Sequence, residues 1–136
     1  MRKNYIAGEW VAGSGAIPNI NPSDVSDVID EYAVGDAALV ERAVHGAREA
    51  FPKWSVASPQ QRFDALDMVG SEILARRAEL GELLSREEGK TLPEGIGEVV
   101  RAGSIFKFFA GEALRTGGET VPSVRPGLGV EMTREP

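Results

Sequence analysis

The N-terminal part of the chain alternates between apolar and polar residues with the period of two that is typical of strands. Residues 5–11 predict a short strand pair that turns at Gly8, and residues 17–20 predict a further extended piece. A cluster of turn-forming residues, NPSD at 21–24, ends that piece. The β-branched residues over 28–34 then predict another strand, so the chain is expected to open with several short strands.

After residue 35 the apolar positions recur with a period of about 3.6 residues, which predicts helices. Asp36 stands where it can cap the first helix, because a short acidic side chain accepts hydrogen bonds from free N–H groups of the first turn. The helix is expected to run to Phe51, since Pro52 removes a backbone donor and would stop it.

A capping box begins the second helix, with Ser58 as the N-cap, Pro59 at the first helical position and Gln61 at the third. The helical pattern continues beyond this helix into a further turn or two that end at about Glu88. Gly89 is then well placed to adopt the left-handed conformation that commonly ends a helix.

A second capping box, formed by Thr91 and Glu94, begins the last helix, which is expected to run to about Arg115. Residues 121–129 contain two prolines and predict a loop, whereas residues 130–134 alternate like a strand. The whole pattern predicts an α+β chain with about four helices, a few short N-terminal strands and one C-terminal strand.

The GKT triplet at 89–91 is similar to the end of a phosphate-binding loop, but its surroundings exclude one. Such a loop needs a glycine five residues before its Gly-Lys pair, and that position is Leu84, in a helical run. Glu87 and Glu88 would also repel a phosphate at close range. We therefore interpret the triplet as a joint between two helices.

The charge and the counts of cysteine and histidine exclude several classes of function. The net charge of −6 argues against nucleic-acid binding, which requires a basic face. The chain has no cysteine and a single histidine, His45, which excludes disulfides, a cysteine nucleophile and a multi-histidine metal site within it. No signal peptide and no apolar run near the roughly 18 residues of a membrane span is present, so we expect a cytoplasmic location and no membrane partner.

Eight short segments, weak alone but specific in this order, carry a resemblance to a known family. They are YIAGEWV, NPSD, VIDEYAVGD, AFPKWS, SPQQRFDALDMVGSEI, LLSREEGKTLPEGIGEVV, FKFFAGEALRTGGETVP and GVEMTREP. Together they resemble the N-terminal quarter of an NAD(P)-dependent aldehyde dehydrogenase over essentially the whole chain. The wording is most similar to the branch that oxidises acidic semialdehydes, such as 2-oxoglutarate semialdehyde (2,5-dioxovalerate).

The resemblance implies an α/β fold for the complete enzyme, in which residues 1–136 form the N-terminal part of the cofactor-binding domain. It implies NAD or NADP as the cofactor, the rest of the dehydrogenase chain as the partner, and a homo-oligomer. The catalytic cysteine and the nicotinamide-binding residues of such enzymes come later in the chain. We therefore expect no catalytic or cofactor-binding residue among 1–136, no tight binding of the cofactor and no activity of this chain alone.

Arg101 is the candidate substrate-binding residue, because in the family the corresponding helix lines the mouth of the substrate tunnel. An arginine there can bind a substrate carboxylate with two parallel hydrogen bonds. The alternative is a solvated helix arginine that pairs with a nearby carboxylate such as Glu98 or Glu94.

Glu87 and Ile20 are the candidate metal ligands. Some family members bind a monovalent cation near this joint through a carboxylate at the position of Glu87 and a backbone carbonyl near Ile20, and hard cations prefer such oxygen ligands. The alternative is a solvated, charged joint without a metal.

A different class of function remains open from the sequence alone. The chain could be a small acidic helical module that binds a protein partner through an exposed aromatic helix face, since exposed apolar patches drive association. The strand pattern near the C-terminus leads us to expect an enzyme segment instead.

Overall fold

The computed structural model describes residues 1–135, and Pro136, the last residue of the predicted domain, lies outside the described residues. Within 1–135 the chain forms four helices and three separate two-stranded antiparallel sheets. The strands are β1 (Asn4–Ile6), β2 (Glu9–Val11), β3 (Gly15–Ile20), β4 (Val28–Val34), β5 (Glu119–Pro122) and β6 (Gly129–Met132). The helices are α1 (Ala37–Ser55), α2 (Pro59–Ala75), α3 (Arg77–Glu88) and α4 (Leu92–Ala113). The predicted fold class is confirmed.

The first two strands form the hairpin that the sequence predicts. Ala7 and Gly8 connect them with φ angles of 51° and 85°, and two consecutive positive values are what a tight two-residue hairpin turn requires. Tyr5 and Trp10 lie opposite each other, and their ring centroids are 5.0 Å apart. This cross-strand aromatic contact favours the observed register.

Strands β3 and β4 pair along their whole length, from Gly15 opposite Val34 to Ile20 opposite Val28. The register shifts between Asn19, which lies opposite Asp30, and Ile20, which lies opposite Val28. The turn that connects β3 to β4 contains the predicted turn cluster. The end of β3 and this turn lie beside the end of α3.

Helix α1 corrects the predicted boundary, because it continues through Pro52 and ends at Ser55. Proline in the last turn removes a single backbone donor, and the helix end gains other partners. The Arg62 guanidinium donates to the carbonyl oxygens of Trp54 and Ser55 at 2.8 and 3.1 Å. These bonds from the next helix give the last two carbonyls of α1 a side-chain donor, and the Trp54 oxygen also accepts from the Ala57 N–H at 3.1 Å.

The predicted helix caps are confirmed. The Asp36 carboxylate accepts from the Leu39 N–H at 2.9 Å. At the start of α2 the Gln61 N–H donates to the Ser58 hydroxyl oxygen at 3.2 Å, and the Gln61 amide oxygen accepts from the Ser58 N–H at 2.9 Å. Arg76 separates helix α2 from α3, because its φ angle of −97° and ψ angle of 17° are not helical.

Helix α4 crosses α2 and α3 at buried glycines. A methyl group added to Gly70 of α2 would lie 2.9 Å from the Gly103 carbonyl oxygen, and one added to Gly81 of α3 would lie 2.7 Å from the Ile96 Cα. One added to Gly95 would lie 2.5 Å from the Gly81 carbonyl oxygen. At both crossings only glycine lets the backbones approach this closely.

The core of the described chain is small. Within residues 1–135 the buried apolar side chains are Ile6, Val99 and Ala110, and the last two belong to α4. Helix α1 has no buried residue, so its apolar face is open. No helix in the described residues combines the length and the apolar character needed to span a membrane.

The C-terminal hairpin corrects a second boundary. Residues 119–122 form strand β5, which pairs with β6 through Val121 opposite Val130, although residues 121–129 predicted a loop. Pro122 can sit in this strand because it lies at its end, where a missing N–H costs no ladder bond. The predicted C-terminal strand therefore has a partner strand.

The close approach of α4 to α3 generates a stability prediction. Gly95→Ala places a methyl group against the Gly81 carbonyl, so we expect the free energy of unfolding to fall by ~1–3 kcal/mol. Urea unfolding followed by circular dichroism measures the change.

Gly97→Ala is the matched control on the same helix. No atom lies within 4 Å of a methyl group there, and alanine is the better helix former, so we expect a gain of about 0.5–1 kcal/mol. Equal effects of the two substitutions would contradict the proposed role of the crossing.

Candidate functional site

The α3–α4 joint, residues 86–91, contains Glu87, one of the two predicted cation ligands. Gly89 has a φ angle of 70° and ends α3, and its N–H donates to the Ser85 carbonyl oxygen at 2.9 Å. The Lys90 N–H donates to the same oxygen at 3.2 Å. The triplet is therefore a helix-to-helix joint, as predicted, and the chain before it is helical.

Thr91 and Glu94 close the joint on the α4 side. The Glu94 carboxylate accepts from the Thr91 N–H at 3.1 Å and from the Thr91 hydroxyl at 2.7 Å. The side-chain hydrogen bond from Thr91 and then the backbone one lower the pKa of Glu94, because both favour the charged carboxylate. The second predicted cap thus holds Glu94 at the start of the helix.

An arginine fork ties the β3–β4 connection to the end of α3. The Arg86 guanidinium donates to the Asp27 carboxylate through Nε at 2.9 Å and through one terminal nitrogen at 2.6 Å. The Asn21 amide donates to the same carboxylate at 3.1 Å. These hydrogen bonds, that of Arg86 first, lower the pKa of Asp27. A sequence separation of 59 residues is bridged by one half-buried pair.

Glu87 lies beside β3, next to the other predicted cation ligand. Its carboxylate accepts from the Asn19 side-chain amide and from the Tyr32 hydroxyl, the latter at 3.2 Å. Asn19 directly precedes Ile20, so the carboxylate and the end of β3 lie close together. In residues 1–135 no group of three or more His, Cys, Asp or Glu side chains is arranged to hold a metal.

Lys90 pairs with carboxylates on both sides of the joint. Its ammonium group contacts Glu88 at the end of α3 and lies 2.6 Å from a carboxylate oxygen of Glu98 on α4. The hydrogen bond to Glu88 and then that to Glu98 raise the pKa of Lys90. Lys90 therefore draws the Glu98 carboxylate towards the joint.

Arg101 is exposed on α4, and its side chain forms no ion pair or hydrogen bond with residues 1–135. The alternative partners named from the sequence are engaged elsewhere, Glu98 with Lys90 and Glu94 with Thr91. The solvated surface pair is therefore not formed. An unpaired guanidinium can bind an anion with two parallel hydrogen bonds.

The structure adds residues that the sequence reasoning missed. Asp27, Asn19 and Tyr32 belong to the strands and their connection, and each contacts the end of α3. The signal available in the sequence was the turn cluster at 21–24, which predicts a turn but names no partner. Together these hydrogen bonds hold the β3–β4 hairpin against the end of α3.

Comparison with known proteins identifies the class. Residues 10–136 match the model of the aldehyde dehydrogenase family. The chain therefore belongs to the aldehyde dehydrogenase family, as the resemblance implied, and it corresponds to an N-terminal segment of its members.

Several individual relatives are semialdehyde dehydrogenases. The chain is 36% identical over 135 residues to alpha-ketoglutaric semialdehyde dehydrogenase of Bacillus subtilis and 34% identical to alpha-ketoglutarate semialdehyde dehydrogenase of Haloferax volcanii. Each match covers 98% of this chain and 28% of the relative. The chain thus spans little more than a quarter of the length of these proteins.

Solved structures agree with the fold. The chain matches betaine aldehyde dehydrogenase of Staphylococcus aureus, solved with NAD+, with a TM-score of 0.91 and 31% identity. The match covers 99% of this chain and 28% of that one. The separate small sheets and the α2–α3–α4 packing are therefore arranged as in a segment of a complete aldehyde dehydrogenase.

The Asp27–Arg86 fork generates a prediction about pH. Because the folded-state pKa of Asp27 lies below the ordinary value of 3.8, the pair stabilises the fold above that pH and is lost as the pH falls through the folded-state value. We expect Asp27→Asn to lower the free energy of unfolding at pH 7 and to bring a smaller loss at pH 2–3. Urea titrations at both pH values measure the difference.

Asp64→Asn is the control for loss of a carboxylate. Asp64 is exposed and accepts a hydrogen bond from Gln60 within its own helix, so its substitution should change stability little. A difference between wild type and Asp27→Asn that stays constant from pH 7 to pH 2 would show that the fork does not act through the charge of Asp27.

Proposed function

We propose that residues 1–136 form the N-terminal part of the cofactor-binding domain of an NAD(P)-dependent dehydrogenase that oxidises an acidic semialdehyde to a carboxylate. The names of the relatives support this proposal, since they act on alpha-ketoglutarate, glutarate and malonate semialdehydes. The NAD+ in the Staphylococcus aureus structure supports the cofactor class.

The observation that carries the substrate class is the unpaired Arg101 on α4. A semialdehyde of this kind carries one carboxylate besides its aldehyde, and that carboxylate keeps its charge throughout the reaction, so a fixed cation favours its binding. The planar guanidinium matches that carboxylate with two hydrogen bonds, which orients the aldehyde end away from it. A neutral aldehyde gains nothing from the same residue.

The chain itself supplies scaffold and recognition in this proposal, because it has no cysteine to form the thiohemiacetal. The bound nicotinamide accepts the hydride in such enzymes, and groups outside residues 1–136 hold it. We therefore propose that this chain alone neither oxidises aldehydes nor binds the cofactor tightly. The remaining dehydrogenase chain is its partner, within a cytoplasmic homo-oligomer.

The protein-interaction module is not favoured, because the family match extends over residues 10–136 and leaves no separate module to assign. The proposal also accounts for the open apolar face of α1. It is the kind of surface that other parts of a dehydrogenase would cover.

We also propose the cation site at Glu87 and the Ile20 carbonyl, where a carboxylate and the end of a strand lie together. A bound monovalent cation would stabilise the folded chain by mass action. We expect the melting temperature in potassium or sodium chloride to exceed that in tetramethylammonium chloride at equal ionic strength, and we expect Glu87→Gln to abolish the difference. An equal melting temperature of the wild type in the three salts would reject the site.

Arg101→Gln tests the substrate proposal in the complete dehydrogenase. We expect kcat/KM for an acidic semialdehyde to fall about tenfold to a hundredfold, since a charge-assisted pair is lost, and to change little for propanal. Steady-state measurement of NADH or NADPH formation with both aldehydes gives the ratio.

Arg115→Gln is the matched control, because it removes the same charge from the exposed residue that follows the end of α4, where Arg115 pairs with Glu112. It should leave the ratio of the two kcat/KM values unchanged. Equal losses for the acidic and the neutral aldehyde in Arg101→Gln would remove Arg101 from the substrate site.

A further inference from the structure

One side of α4 carries a carboxylate and a guanidinium at helix spacing. Glu98 precedes Arg101 by three residues, and side chains three apart on a helix are neighbours. An acidic and a basic residue so placed can pair with each other. In this structure they do not, and the cause lies in the joint.

Lys90 lies where it pairs with Glu98 in place of Arg101. Its ammonium group lies 2.6 Å from the Glu98 carboxylate, and its side chain is 19% exposed, compared with 55% for Glu98. The Lys90 N–H is bonded to Ser85, and Gly89 sets the direction in which the chain leaves α3. The lysine is thus fixed by the backbone of the joint before it pairs, so less conformational entropy is lost on pairing.

We propose that Lys90 is a positioning residue that keeps Arg101 free for an anionic substrate by holding the Glu98 carboxylate at the α3–α4 joint. The inference rests on the proposed substrate role of Arg101 and names the group on which its availability depends. Glu98 is the internal competitor of the substrate carboxylate, since both are carboxylates within reach of one guanidinium.

The consequence for specificity follows from competition. A substrate that binds a paired arginine must first displace Glu98, whereas a substrate that binds a free one need not. Removal of the Lys90 charge therefore weakens acidic aldehydes selectively and leaves neutral aldehydes unaffected. The effect appears in KM rather than kcat, because the contact lies at the substrate carboxylate and not at the reacting carbon.

Phenylglyoxal, which modifies free guanidinium groups, reports the state of Arg101 directly in the 136-residue chain. A carboxylate paired with Arg101 shields it, so we expect Lys90→Gln to slow modification of Arg101 by about twofold to fivefold, the range for an exposed ion pair. Peptide mass mapping over time gives the rate at each arginine. The double variant Lys90→Gln/Glu98→Gln should restore the wild-type rate, because the competitor is then absent.

Glu88→Gln is the matched control, since it removes the other partner of Lys90 and leaves Glu98 in place. It should leave the rate at Arg101 unchanged. An unchanged rate in Lys90→Gln, or a double variant as slow as the single one, would overturn the proposal.

Loss of folding would appear as faster modification of arginines throughout the chain, and a further variant then decides. Glu98→Gln alone should leave Arg101 as reactive as in the wild type. A faster rate confined to Arg101 would show that Glu98 already pairs with it, which would also overturn the proposal.

The complete dehydrogenase separates this inference from the function on which it rests. We expect Lys90→Gln to raise KM for an acidic semialdehyde about twofold to fivefold and to leave KM for propanal unchanged. Addition of Glu98→Gln to this variant should restore the wild-type KM. If Arg101→Gln changes the acidic-to-neutral ratio and Lys90→Gln does not, the positioning role alone fails. If neither changes it, the substrate role of Arg101 fails as well.

Discussion

The close approach of α4 to its two neighbours is the constraint on which the rest of this chain depends. Gly70 meets Gly103 at one crossing and Gly81 meets Gly95 at the other, so the backbones pack where side chains would keep them apart. The buried apolar side chains of the described residues are few, and two of the three lie on α4. The glycines therefore bring the α4 backbone close to α2 and α3 around this small core.

Those crossings also determine where the α3–α4 joint points. Once α3 is held against α4, its last turn presents Arg86 and Glu87 to the β3–β4 hairpin. Lys90, just after the end of α3, then faces the first turns of α4. Exposed ion pairs contribute little stability individually. Here these pairs orient neighbouring elements: the Asp27–Arg86 pair holds the β3–β4 hairpin against α3, and Lys90 holds the Glu98 side chain at the joint. Arg101 is left unpaired as a result.

The helix caps and helix ends were predictable because the interactions that form them join residues only a few positions apart. A capping box satisfies N–H groups within a few residues, so Ser58 and Gln61 could be recognised without the fold. The left-handed Gly89 likewise follows from the chain around it. The predictions that were wrong depend on distant partners: α1 continues past Pro52 with Arg62 bonded to its final carbonyls, and β5 exists because β6 pairs with it.

The sequence by itself determined the fold class, the order and caps of the helices, the absence of a cysteine nucleophile and, through eight ordered segments, the family. It also marked Arg101, Glu87 and Ile20 as candidates. Only the tertiary structure decided which charges pair, because Lys90, Glu98 and Arg101 offer several pairings that differ little in spacing. The joint selects one of them, since the backbone geometry at Gly89 places Lys90 within reach of Glu98.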